Sequence, residues 1–354
     1  MKSVSVVGTV GLPACYGGFE SLVENLVRYR SEGVQYQVFC SKKAYKDRPG
    51  QLDGVKLTYI PLNANGPQSI PYDILSLVHC LKSKPDVVLI LGVSGCLFLP
   101  IFKLFSKSKV ITNIDGLEWK RDKWGWAVKK FLKLSERIAV SFSDVVVTDN
   151  KAIGDYVDSE YGKDNVTIAY GGDHAIRDIV DDSDIDISSD SYALGLCRIE
   201  PENNVEMILE AFAKYQYRIK FVGNWESSDF GKELKRKYKD SDNIELLDPI
   251  YDLDTLYKLR KGCSLYLHGH SAGGTNPSLV EMMHFGIPIF AFDCTFNRYS
   301  TDDKAIYFKD VSQLINVLAS TPKDSLSDNA CHMKRIAKER YTWHEISRQY
   351  ELIY

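Results

Sequence analysis

The 354-residue sequence has no run of 18 apolar residues, so no stretch of it reads as a membrane-spanning helix. It has no C-x-x-C pair. Its eight cysteines are scattered without metal-ligand spacing, which argues against a zinc site or disulfide framework and suits buried thiols in a reducing cytosol. No G-x-G-x-x-G occurs, so the dinucleotide fingerprint is missing. Strong charge is lacking too: the net charge of −3 makes nucleic acid a poor partner. The opening Met1-Lys-Ser-Val-Ser-Val-Val is too short an apolar run for a signal peptide and reads as a first strand. What is present, 44% hydrophobic and 26% charged residues, is an ordinary globular composition long enough for two domains.

The charge is unevenly spread. Residues 1–176 carry 22 Lys/Arg against 18 Asp/Glu, and the remainder 22 against 29. Residues 178–190 hold six aspartates and no basic residue, which places a solvated connector and domain boundary at 177–190. Before it, apolar runs at Val4 to Val7, Gln37 to Cys40, Lys56 to Ile60, Val87 to Leu91, Lys109 to Asn113 and Val145 to Thr148 alternate with helical patterns, the signature of a parallel sheet. After it, strands at Tyr192 to Leu196 and Ile219 to Val222 restart the alternation.

The richest stretch runs from Tyr266 to Phe292: strand, glycine-rich loop, short helix, turn, strand. Pro277 suits a first helical position, Thr275 or Asn276 a cap, and Gly286 a left-handed stop, predicting a helix over 277–285. Gly273 and Gly274 let backbone approach a ligand, so the loop to Asn276 suits a diphosphate. One turn on, the Glu281 carboxylate can accept both hydroxyls of a ribose. His268 and His270 read as hydrogen-bonding groups lining the cleft, with no third ligand nearby for a metal. Gly17 and Gly18, at the start of a helix through Phe19, Leu22, Val23 and Leu26, suit either plain structure or a second phosphate contact. Asp115, just past a strand end, is a candidate acceptor contact or a turn aspartate.

The triplets Asp184-Ile-Asp186 and Asp252-Leu-Asp254 do not read as metal sites; Asp254 reads as an N-cap. Between Ile101 and Arg137, ten Lys/Arg face four Asp/Glu among Trp119, Trp124, Trp126 and phenylalanines. Lys129, Lys130 and Lys133 flank the apolar face of a helix predicted over 123–140, which favours an anionic membrane surface over a plain solvated helix.

Four motifs then act together: Gly-Leu-Pro-Ala-Cys-Tyr-Gly-Gly-Phe-Glu20, Ile-Asp-Gly-Leu-Glu-Trp-Lys-Arg121, Arg-Ile-Glu-Pro-Glu-Asn-Asn204 and Gly-Gly-Thr-Asn-Pro-Ser-Leu-Val-Glu281. The chain resembles glycosyltransferase family 4 over nearly its full length. It is most similar to the bacterial branch that includes rhamnosyltransferases of surface-polysaccharide assembly. The resemblance implies an α/β GT-B fold, two Rossmann-like doubly wound domains facing across a cleft. An acceptor-binding domain over 1–176 precedes a nucleotide-sugar-binding domain over 191–338, and a C-terminal helix over 339–354 packs back toward the first domain. Arg198, Asp115 and Glu281 are the implied catalytic residues. Gly17, Gly18, Asn203, His268, His270, Gly273, Gly274, Thr275 and Asn276 join Glu281 in holding the donor. Gly273 stands where the family commonly has a glutamate, Asn203 where a lysine is common, and Asp115 or a neighbour where a histidine is expected.

The implied reaction is retaining hexose transfer without an essential metal. Its first-choice donor is dTDP-rhamnose, and its acceptor a lipid-pyrophosphate-linked saccharide at the cytosolic membrane face. A UDP-sugar transferase on a similar acceptor and a non-catalytic nucleotide-sugar-binding partner are the alternatives.

Overall fold

A computed structural model describes residues 1–15, 17–114, 116, 119, 125–177 and 191–354. The chain forms two compact units, Met1–Tyr170 joined by Trp343–Tyr354, and Gly171–Thr342. In the first, short β-branched runs become strands β1 (Lys2–Val7), β2 (Val34–Ser41), β3 (Gln51–Leu52), β4 (Val55–Ile60), β5 (Val87–Leu91), β6 (Lys109–Ile114), β7 (Val145–Thr148) and β8 (Val166–Thr167). They lie in the order β3-β4-β2-β1-β5-β6-β7-β8, parallel except for the β3–β4 pair. All five residues of β5 are buried, as expected of a strand covered on both faces.

The second unit holds β9 (Tyr192–Leu196), β10 (Arg218–Val222), β11 (Ile244–Leu247), β12 (Leu265–His268), β13 (Ile289–Phe292) and β14 (Ile306–Phe308). Every neighbouring pair in the order β11-β10-β9-β12-β13-β14 is parallel. The chain winds outward from β9 in one direction, then returns to start again at β12. The strand order therefore reverses between β9 and β12, where an open parallel sheet leaves a crevice beyond its carboxyl ends. Ile208, Leu209 and Phe212 of the helix Val205–Lys214 pack with Ile219, Phe221, Leu267 and Phe290 in a core beneath it.

The division between units differs from the expected one at 177–190. It falls at residues 170 and 171, because Gly171–Arg177 is bound to the second unit's own helices. The Gly172 N–H donates to the Tyr341 carbonyl at 2.8 Å, and Arg177 pairs with Asp254 at 2.5 Å. Residues 178–190, including Asp184 and Asp186, lie outside the described residues. The helix expected over 339–354 is in fact the end of one helix, Lys323–Arg340, and a separate one, Trp343–Ile353. The latter belongs to the first unit, where the Asn113 amide donates to the Tyr350 hydroxyl at 2.6 Å. No described helix is long and apolar enough to cross a membrane.

Candidate functional site

Two loops meet at the strand reversal of the second unit. One leaves β9 carrying Arg198; the other leaves β12 as His268 to Asn276. They are clasped by hydrogen bonds: Asn204 Nδ2 donates to the Gly269 carbonyl (2.8 Å), and the Ser271 N–H and hydroxyl both donate to the Glu202 carbonyl (3.0 and 2.8 Å). A Cβ on Gly269 would overlap the Asn203 carbonyl, so only glycine permits this approach. Asn203 is buried, and its amide donates to the Arg198 carbonyl at 2.7 Å. It shapes the loop that carries Arg198. The Arg198 guanidinium is about half exposed (47%) and lies 3.7 Å from Glu200.

The helix after the glycine loop starts at Pro277, as expected, and ends at His284, with Gly286 left-handed at φ 64°. Asn276 is the cap; its Oδ1 accepts from the Ser278 N–H at 3.1 Å. Thr275, the other candidate cap, is buried. Among the described residues, the N–H groups of Gly273, Gly274 and Asn276 have no backbone partner. Gly273 has φ 119°, yet a Cβ there would meet nothing within 4 Å. Backbone conformation, not space, requires glycine, and a glutamate at this position would be strained.

Glu281 is nearly buried and already partnered. Arg260 Nη2 donates to its Oε2, and His174 Nε2 lies 3.2 Å from Oε1. Burial raises its pKa, but Arg260 and then His174 outweigh that, and the net shift is downward. Neither Arg260 nor His174 stands out in the sequence. His268 is buried, with both ring nitrogens lacking a hydrogen-bond partner among the described residues, and its ring stacks on His270 at 4.4 Å.

Residues 184–340 match the family described as Glycosyl transferases group 1, and residues 1–173 a domain of unknown function, DUF1972. The chain is a glycosyltransferase. Its fold is GT-B, as three solved structures show. Sucrose-phosphate synthase from Thermosynechococcus elongatus has TM-score 0.82 at 13% identity, covering 100% of this chain and 98% of that one. Anabaena HepE in complex with UDP-glucose has TM-score 0.75 at 14% identity, covering 99% and 98%. The catalytic domain of Starch Synthase IV from Arabidopsis thaliana, bound to ADP and acarbose, has TM-score 0.70 at 12% identity, covering 99% and 98%. No curated protein matches the chain.

In the glycosyltransferase's first unit, Gly17 and Gly18 begin the helix Gly18–Arg28. That helix start is served by the chain's own carboxylate: Glu20 Oε1 accepts from the Val10 N–H (2.8 Å) and Thr9 hydroxyl (3.1 Å), and a Cβ on Gly17 would overlap Glu20 Oε2. A phosphate there would face a negative charge, so the geometry favours the structural reading of Gly17 and Gly18. Asp115 lies outside the described residues; its neighbours Ile114 and Gly116 line a recess with Trp119 and Glu136.

The basic helix runs from Trp126 to Phe142, later than expected, and residues 120–124 lie outside the described residues. Lys133, expected with Lys129 and Lys130 to flank the apolar face, is turned onto aromatic rings. Its ammonium sits over the rings of Trp119, Tyr156 and Tyr161 at 4.7, 4.8 and 4.9 Å and pairs with Glu160 at 3.0 Å. Asp252, not Asp254, caps the helix Leu253–Gly262; its Oδ1 accepts from the Thr255 N–H at 2.8 Å. No group of three or more His, Cys, Asp or Glu that could hold a metal occurs among the described residues.

The buried His268 generates a pH prediction. Burial, then His270, hold its pKa well below the usual 6.5. As pH falls below about 6.5 the unfolded chain takes up a proton that folded His268 does not, so this group's contribution to stability falls; above that pH it is constant. A His268→Phe variant should therefore gain stability relative to the parent between pH 7 and pH 5 in denaturant titrations. A difference independent of pH would contradict the assignment.

Proposed function

We propose that the enzyme transfers a hexose, with L-rhamnose from dTDP-rhamnose the first choice, to a lipid-pyrophosphate-linked saccharide in bacterial cell-surface polysaccharide biosynthesis. The observation that supports the donor assignment is the pair of clasped loops at the β9/β12 reversal. They bring the Arg198 cation and the N–H groups of Gly273, Gly274 and Asn276 to the place where a parallel sheet takes ligands. As the C1–O bond to the diphosphate breaks, negative charge grows on the leaving group, and fixed donors placed beforehand stabilise it. The acceptor oxygen bonds to C1 on the same face, and its proton passes to a departing diphosphate oxygen. This retaining step requires no metal and no enzyme nucleophile. Glu281 accepts a hydrogen bond from the 3′-hydroxyl of the sugar attached to the base, the one ring hydroxyl that the deoxyribose of dTDP keeps.

UDP-glucose, galactose or N-acetylglucosamine as donor is the second reading. It is favoured by the likeness to HepE, whose structures hold UDP and UDP-glucose. The membrane assignment is placed on the cytosolic leaflet. It is supported by Leu104 (79% exposed), Phe105 (74%) and Trp126 (72%) on the contacting helices Leu99–Phe105 and Trp126–Phe142, near Lys129 and Lys130.

Thermal unfolding with UDP, dTDP and GDP tests the donor reading. The true nucleotide at about 100 times its Kd adds roughly 2.7 kcal/mol, and Glu281→Ala should remove most of that gain. No response to any of the three, or equal stabilisation of the variant, would remove the assignment. For the membrane reading, replacing Leu104, Phe105 and Trp126 with serine should lower co-sedimentation with phosphatidylglycerol vesicles several-fold. Unaltered sedimentation would sink it.

A further inference from the structure

Glu281 lies where three segments of the second unit meet. Its own helix is Pro277–His284; Arg260 comes from the last turn of Leu253–Gly262, and His174 from the short 3-10 turn Asp173–Ala175. The last of these is pressed against the helix, since a Cβ on Gly172 would come within about 2.6 Å of the Val280 carbonyl group and 2.7 Å of the Glu281 nitrogen. Arg260 is itself buried, and its Nε has no partner among the described residues. Two cationic or cation-capable groups, 21 and 107 positions away in sequence, thus converge on one carboxylate, each on a different oxygen.

From this geometry we infer that Arg260 and His174 are positioning residues that present the Glu281 carboxylate to the 3′-hydroxyl of the donor nucleotide. The inference rests on the proposed role of Glu281 in nucleotide binding. A carboxylate as buried as this one would, left alone, favour its neutral form, which offers fewer acceptor sites and carries a proton of its own. Arg260 keeps it ionised. An ionised carboxylate has about four acceptor positions on its two oxygens. Arg260 occupies one on Oε2 and His174 one on Oε1, so each oxygen keeps capacity for one further donor. Two anchored oxygens also fix the plane of the carboxylate, so that a hydroxyl meets a set acceptor and not a rotating one. The other charged or titratable groups in this neighbourhood are Asp173 and His284.

The test compares Kd for the nucleoside diphosphate that protects the enzyme with Kd for its 3′-deoxy counterpart, by calorimetry on the full chain. Their ratio reads the hydroxyl contact alone. Glu281→Gln should bring the ratio close to 1; if it leaves the ratio intact, Glu281 does not bind the sugar and the underlying reading falls, taking this proposal with it. If Glu281→Gln collapses the ratio, the positioning role is judged separately. Arg260→Gln and His174→Gln should each lower it about 3- to 10-fold, and Arg260→Lys should restore part of the loss. His174 is a third exposed, which makes its variant the safer probe should the arginine variant fail to fold. A ratio unchanged in His174→Gln and in a folded Arg260 variant would overturn the proposal. So would an equal loss of affinity for both nucleotides, which would make Arg260 a phosphate ligand.

Discussion

The site in the second unit depends on one close approach, the contact between the Asn203 carbonyl and Gly269 where the strand order reverses. Parallel strands end in exposed carbonyls and N–H groups, and a loop at such an end must satisfy them or leave them to a ligand. Here the two loops satisfy much of each other's demand. Asn203 secures the Arg198 carbonyl, Asn204 the Gly269 carbonyl, and Ser271 the Glu202 carbonyl. The clasp leaves the Arg198 side chain half exposed and, among the described residues, the N–H groups of Gly273, Gly274 and Asn276 without backbone partners. Rigid support beneath and unspent donors above are what charge stabilisation in a leaving group needs.

The two helix starts that look alike in sequence differ physically. Both follow glycines after a strand. At Gly18, the third residue of the helix is Glu20, whose carboxylate turns back to the loop and supplies the negative charge that the helix start favours. At Pro277, the cap is the neutral Asn276, and the acidic residue, Glu281, sits too far along to reach back; it is engaged by Arg260 and His174. One helix start is filled by its own chain. The other has no carboxylate of its own in the first turn.

Much of the fold was legible because it is local. Period-2 and buried apolar runs located β1, β2, β4 to β7, β9, β10, β12 and β13, and Pro277, Asn276 and Gly286 marked their helix through backbone constraints that need no tertiary context. The short strands β3, β8, β11 and β14 carried too little pattern to find. What escaped were pairings across sequence. Arg260 and His174 are ordinary residues in ordinary helical or loop contexts, and only folding sets them on Glu281. Lys133 sits on a basic amphipathic helix, yet three aromatic rings and Glu160 capture it, a contact no helical wheel displays. Asp252 and Asp254 are both plausible caps by spacing; the helix begins two residues earlier than an Asp254 cap implies, which gives the role to Asp252 and leaves Asp254 to Arg177.

Whether the donor's diphosphate is held by the clasped loops of the second unit is read by amide hydrogen exchange with and without the stabilising nucleoside diphosphate. Exchange should slow at residues 198–204 and 269–281. Protection confined to the first unit, with those two loops exchanging at their free rate, would contradict it.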